Sequence, residues 1–555
     1  MRVSPRLTCS FSGTASSLSR VAVTDFPYQA FDQPSADHEG KPPAVSVRDR
    51  LVPPMRGSVL WGWLGPLAVA VFGAFLRFYR LSVPKAVVFD ETYYLKDAWS
   101  TVKYGVERQF VDGADKLVLA GNTDIFKSCG QVSECAAYVV HPPVGKWLIG
   151  VGELIFGLNP FGWRVMAALF GSIAILIMAR LARRMTRSTL LGCFAGLLLS
   201  LDALEFVLSR TALLDIFLMF FVLAGFACLV VDRDHTRQRL ADWYEAGRID
   251  EYGPMLGWRP WRLAAGICLG LALGTKWTGL FFIIAFAIMS LIWDAGARRA
   301  VGLRRPYAGT FRMEAPLAAV WMVAVPLVLY VTSFAGWFAT DRGYGRNWAQ
   351  ATSSGPLYFV IDSLRSWVDY QKQILGFHSG LSTSHPYMSE PWQWPLLLRP
   401  VAFFYESPKT CGTETCSWAV LGTGTPIIWF GGVLALIAMI AWYVATRDWR
   451  AGAVLLAYAA GWIPWFYWAI ADNRTMFQFY ALPTLPFMIL ALTLVAGLVM
   501  GRADAPPPRR VFGAAAVGVF ALLTVANFGY LYPVIAAEIV PYDVWHSRML
   551  FKGWI

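Results

Sequence analysis

Charge is what this chain has least of. Only 15% of its 555 residues are Asp, Glu, Lys or Arg, and six are histidine, whereas soluble domains carry about 25% charged residues. That scarcity excludes the solvated surface a soluble protein of this length needs. Also lacking are heptads, a soluble repeat period and a glycine-rich loop opening a helix, so an intracellular nucleotide site is not supported. The first 55 or so residues have no apolar run and no signal-peptide layout. Rich in Ser, Pro and charge, they read as a disordered cytoplasmic tail over about 1–57, to which no role is assigned.

What is present is apolar: 56% hydrophobic residues, 15% aromatic, mean hydropathy +0.47. This is the composition of an integral membrane protein, and the net charge of +12 is read as topology before nucleic-acid affinity. Eleven runs are apolar enough to cross a hydrocarbon core, at about 58–81, 163–183, 189–207, 213–231, 262–277, 279–294, 315–334, 426–445, 451–470, 476–500 and 512–532. The expected fold is an all-α polytopic membrane domain over 58–555. The Arg-rich short connections at 180–187, 233–239, 297–305, 446–450 and 501–510 share one side, which is the cytoplasmic one. The amino terminus is then inside and the carboxyl terminus outside.

Two long loops, about 82–162 and 335–425, fall outside. Each contains a close cysteine pair, Cys129/Cys135 and Cys411/Cys416, which in an extracytoplasmic loop reads as a small disulfide loop. Metal binding is disfavoured there because no His sits at ligand spacing. The other cysteines are inert packing residues. The stretch WLIGVGELIFGL at 147–158, with Glu153, is too short to cross and reads as an interfacial helix. The prolines of HPPVGK open it, from Val144 to about Leu158.

The informative charges lie at the outer ends of the spans: Arg164, Arg210 and Asp215 in SRTALLD, Lys276 in GTKWTG, and Arg474 in ADNRTMFQFY, which also holds Tyr480. Taken singly, each cation is explained by snorkelling to the headgroups. Four on the face where the positive-inside rule disfavours them favour a shared anion, and a membrane-lipid phosphate fits the place. Lys146 leans towards a substrate or phosphate contact, whereas for His141 a loop-tying role and a substrate contact weigh equally.

Asp90 and Glu91 follow the first span in VVFDETYYLKDAW, before Tyr93. Chain neighbours point apart, so they are not a facing acid/base pair. Asp90 is also a plausible N-cap of the following helix. The outer anion site favours catalysis: glycosyl transfer from a lipid phosphate, in which cations stabilise the departing phosphate and one carboxylate takes the proton of an attacking hydroxyl, with inversion. Such a reaction needs no second, spaced carboxylate.

FDE after the first span, HPPVGK before the second, WR opening it, SRTALLD and GTKWTG together resemble the protein O-mannosyltransferases, which have the GT-C glycosyltransferase fold. The resemblance runs from about 58 to 532. It implies transfer of mannose from polyprenyl-phosphate mannose to Ser or Thr of secreted proteins, on the extracytoplasmic face of the cell membrane, often during translocation, so that the translocation machinery is an expected partner. It implies Asp90 as general base, Glu91 as an acceptor contact, Arg164 as the essential arginine, and the HPP segment as part of the donor and acceptor groove. Tyr93, Tyr480, His141 and Asp215 are expected around the substrates. Arg164, Arg210, Lys276, Arg474 and Lys146 are expected around the phosphate. The 335–425 loop is too short for the MIR module of eukaryotic members, which points to the bacterial, actinobacterial form. No cofactor is expected. Related oligosaccharyltransferases use a divalent ion, and Asp215 is the nearest acidic companion here, but the cations already supply the charge. The alternatives are another polyprenyl-phosphate-sugar transferase acting on a lipid or glycan, and a transporter for which Asp202 and Glu205 speak.

Overall fold

The computed structural model describes residues 46–55, 57–129, 135–350, 357–502 and 505–555. The expected disordered tail lies mostly outside the described residues. Its last stretch is ordered: Ser46 caps a short helix, Val47–Leu51, whose Arg48 bridges Asp242 and Glu245 and whose Leu51 is buried.

Each of the eleven apolar runs is helical. Among the described residues, nine helices are long and apolar enough to cross a membrane: Trp61–Phe78, Pro160–Thr186, Asp215–Glu245, Gly279–Ala300, Ala315–Thr332, Pro426–Thr446, Trp449–Asp472, Gln478–Met500 and Pro507–Ile535. The other two, Thr189–Ser200 and Pro260–Leu273, are shorter. The run at 189–207 is broken because Asp202 leaves the helix and caps a second short one, Ala203–Leu208, by accepting from Leu204 N and Glu205 N. Burial ranks the bundle. The hydrophobic windows of Asp215–Glu245 and Gln478–Met500 are 78% and 83% buried, so these two helices form its centre. Pro507–Ile535, at 17%, presents its apolar surface outward, as a helix solvated by lipid does.

The two long loops are folded. The first contains Glu91–Tyr104, Ala114–Leu119 and Val144–Phe156. The last begins just after Pro142–Pro143, where the missing N–H groups cost nothing, and stops at Gly157, whose φ of 86° is open to glycine. Its placement is fixed at both ends. The N–H of Val144 donates to Gly274 O at 2.9 Å. Gly152 lies so close to Gly162 that a Cβ would come within 2.4 Å of the Gly162 carbonyl oxygen.

The second loop carries the helix Tyr358–Gly380 and strands β1 (Val401–Glu406) and β2 (Cys416–Gly422). β2 also pairs with β3 (Ile539–Pro541), making an antiparallel sheet in the order β1-β2-β3. The end of the chain therefore lies on the same face as the large loop. Cys411 is joined to Cys416 across the β1–β2 turn, and Cys129 to Cys135 in the first loop. Tyr370 Oη donates to Val139 O at 2.7 Å and Tyr138 Oη to Gln373 O at 3.0 Å, binding the two loops into one cap over this end of the bundle.

Candidate active site

Asp90 occupies the N-cap position of Glu91–Tyr104, yet its side chain makes no capping bond, and among the described residues no hydrogen bond reaches its carboxylate. The cap alternative is thereby removed. Burial pushes its ionisation up to about 6. Lys276 pulls against that rise and Asp215 adds to it, so all three share one electrostatic neighbourhood. Lys276 Nζ donates to Asp215 Oδ2 at 2.7 Å and lies 5.2 Å from the centre of the Tyr480 ring. Tyr480 in turn feels Lys276, Arg474, Asp215 and Asp90.

The backbone before Asp90 is held in an unusual state. Phe89 has φ +49°, a left-handed conformation that costs a non-glycine residue roughly 1–2 kcal/mol. Its ring is stacked on Phe403 at 4.9 Å and meets Phe477 and Phe479 edge-on at 6.0 and 5.8 Å. Aromatic pairs add about 0.5–1.5 kcal/mol each, which is enough to hold the strained turn and so to fix where Asp90 points.

Three of the cations expected around a phosphate are engaged elsewhere. Arg164 is 0% exposed, as is Glu91. Its five N–H donors go to Glu91 Oε1 and Oε2, at 2.7 and 2.8 Å, and to the carbonyls of Leu81, Pro84 and Ala86. Glu91 also accepts from Val88 N and Ala212 N. The pair therefore staples the 81–91 turn to the second span, with both side chains buried and turned towards each other. Arg210 donates to the carbonyls of Leu76, Arg77, Tyr79 and Arg80, closing the end of the first membrane helix. Lys146 is bonded to Glu107 and lies 4.0 Å from Asp97, whose ionisation burial pushes up to about 7 against the pull of Lys146.

Lys276 and Arg474 differ from these. Lys276 gives one of its three donors to Asp215. Arg474 donates to His378 O at 2.8 Å and faces His378 Nδ1 at 3.2 Å, while its buried Nε has no partner among the described residues. Both retain donors for an anion. His141 lies with its ring 6.1 Å from Tyr94 and 5.4 Å from His378. Burial, then Lys276, hold it neutral, well below the usual imidazole range. Tyr93 is 57% exposed, and Tyr94, one helical step on, is the tyrosine turned inward. His378, Tyr94 and Phe89 were not singled out by sequence reasoning. The signal for His378 was present: Asp362, Ser366, Tyr370, Ile374 and His378 recur every four residues, the inner stripe of a helix. The acids that spoke for a transporter are structural. Asp202 accepts from Trp429 Nε1 at 2.8 Å, and Glu205 is bonded to Arg77 and Ser209.

The fold is that of the solved S. cerevisiae protein O-mannosyltransferase Pmt1–Pmt2 complex bound to the sugar donor. The TM-score is 0.65 at 17% identity, covering 90% of this chain and 93% of that one. A helical membrane bundle of this architecture, with a buried carboxylate and two cations that retain donors beneath the two-loop cap, is a GT-C fold. Residues 67–340 match the family described as dolichyl-phosphate-mannose-protein mannosyltransferase, and 363–554 match the C-terminal four TMM region of protein-O-mannosyltransferase. The chain is 37% identical over 539 residues to the polyprenol-phosphate-mannose–protein mannosyltransferase of Mycolicibacterium smegmatis strain MKD8, covering 94% of this chain and 99% of that protein. It is 36% identical over 512 residues to the protein of the same name from Mycobacterium tuberculosis strain H37Rv, covering 90% and 92%. The chain belongs to the protein O-mannosyltransferase family.

Proposed function

We propose that this multi-pass membrane protein transfers mannose from polyprenyl-phosphate mannose to Ser and Thr hydroxyls of secreted polypeptides, with Asp90 as base and Lys276 and Arg474 as the phosphate ligands. The observation that carries the reading is Asp90 itself, a carboxylate with no hydrogen-bond partner among the described residues, in the neighbourhood of the Lys276–Asp215 pair. An ionisation near 6 suits a base, whose efficiency is greatest when its pKa is close to the working pH. In the step, Asp90 takes the proton of the acceptor hydroxyl as its oxygen forms the new bond to the sugar's anomeric carbon. The bond from that carbon to the phosphate oxygen breaks, and its electron pair leaves with the phosphate. Charge grows on that oxygen, where Lys276 and Arg474 stabilise it without a protein acid. A single displacement inverts the anomeric centre.

Glu91 and Arg164 act behind Asp90, by fixing its turn. The charge carried by Lys276 and Arg474 supports a reaction that runs without a bound metal or other cofactor. The eleven helical runs and the Arg-rich connections support eleven crossings, an internal amino terminus and an outward-facing cap. That placement also supports reception of acceptors as the translocation machinery delivers them. The experiment is transfer by purified protein from mannosyl phosphoprenol to a Ser/Thr-rich peptide, read by mass. Wild type adds one hexose. Asp90→Asn folds and binds donor but transfers at least about 100-fold more slowly, the lower end of a base's contribution. Full transfer by Asp90→Asn would remove it as the base.

A further inference from the structure

Arg474 is held almost entirely by one residue. Its Nη1 donates to the backbone carbonyl of His378, and its Nη2 faces the Nδ1 of the same residue at 3.2 Å. A guanidinium only donates, so Nδ1 is the acceptor and the ring proton sits on Nε2. That nitrogen lies 3.0 Å from Val140 O and donates to it. The ring also rests 5.9 Å from Trp277, next to Lys276, and 5.4 Å from His141. One imidazole thus ties together the Tyr358–Gly380 helix, the HPP segment, the GTKWTG turn and Arg474.

We infer that His378 is the positioning residue for the phosphate-binding arginine: a neutral imidazole that aims Arg474 at the donor and locks it to the backbone before the interfacial helix. The inference rests on Arg474 being a phosphate ligand. The neutral state is what the arrangement needs, because a second proton on Nδ1 would face the guanidinium with a like charge. Burial, then Arg474, hold the ring's titration down to about 4, with Lys276 adding to the effect and the Val140 carbonyl opposing it. The large loop thereby supplies the clasp that sets one of the two cations.

The test titrates an unglycosylated polyprenyl phosphate onto the purified full-length protein in micelles and measures donor KM, peptide KM and kcat alongside. His378→Phe keeps the ring's shape and loses both nitrogens. Loss of a hydrogen bond to a charged group predicts roughly ten-fold weaker phosphate binding and a matching rise in donor KM. Peptide KM should hold, while kcat at saturating donor falls as well, because Arg474 also stabilises the charge that grows on the departing phosphate. His378→Asn, whose amide oxygen replaces the Nδ1 acceptor, restores most of the affinity. His378→Gln, which reaches instead towards Val140, does not. In an Arg474→Ala background His378→Phe adds nothing. Unchanged affinity in His378→Phe, full additivity with Arg474→Ala, or equal affinity of the Asn and Gln variants overturns the inference. The Asn–Gln comparison decides it where the Phe variant does not fold. If Arg474→Ala binds as wild type, the phosphate reading of Arg474 falls and the inference with it. If Arg474→Ala weakens binding and His378→Phe does not, only the positioning role is lost.

Discussion

Replacing Arg164 by Met separates two accounts of the same loss of activity. Were Arg164 a phosphate ligand, the variant would fold normally and demand more donor. The structure dictates otherwise. Removing the guanidinium strands the Glu91 carboxylate, 0% exposed, with the N–H groups of Val88 and Ala212 as its remaining donors among the described residues. It also leaves the carbonyls of Leu81, Pro84 and Ala86 without their donor. Breaking a buried ion pair by removing one partner costs about 3–5 kcal/mol, and the released carbonyls add to that. The expected result is a marked fall in thermal midpoint of the purified protein in micelles. Polyprenyl phosphate binding by the fraction that stays folded is retained. Removing both charges, in the double variant Glu91→Leu/Arg164→Met, leaves no isolated ion and recovers part of the midpoint without recovering transfer, because the turn that aims Asp90 is no longer stapled. A wild-type midpoint in Arg164→Met, together with a raised donor KM alone, would refute this reasoning.

The pH profile offers a second check. Asp90 must be ionised to act, and its pKa is raised to about 6, so kcat/KM should fall about ten-fold per unit as pH drops below that value. Asp215→Asn removes the acid that adds to the burial-driven rise and moves this limb to lower pH in the variant's residual activity; a limb that stays in place would sever Asp215 from the base. At Phe89, glycine relieves the φ +49° strain and deletes the ring, whereas Leu keeps some packing. If the aromatic stack aims Asp90, Phe89→Gly lowers kcat with donor KM unchanged and is the worse of the two. A Gly variant as active as wild type would show that the ring does nothing for the base.

Much of this was legible along the chain. A helix that crosses a membrane satisfies its own backbone, so apolar runs reveal it one at a time. All eleven runs are helical, and Val144–Phe156 starts where the prolines of HPPVGK place it. The family followed from short motifs in order. The helix Tyr358–Gly380 was missed because its apolar residues are spread around the helix and not gathered in a run. The break at Asp202 was missed because its carboxylate accepts from Thr425 N and Trp429 Nε1, more than 200 residues away in sequence.

By itself, then, the sequence determined the membrane class, the two long loops, the carboxylates after the first span and a short set of candidate cations. Hydropathy and charge are properties of residues and their near neighbours, and they survive without coordinates. Only the tertiary structure decided which of those cations keeps a hand free. Arg164 is consumed by Glu91, 73 positions earlier, and by three carbonyls, Arg210 is tied to the end of the first helix, and Lys146 is held between Glu107 and Asp97, while Lys276, in the neighbourhood of Asp90, and Arg474 retain donors. An arginine has five donors wherever it stands, and what it can bind is set by how many of them the fold has already filled.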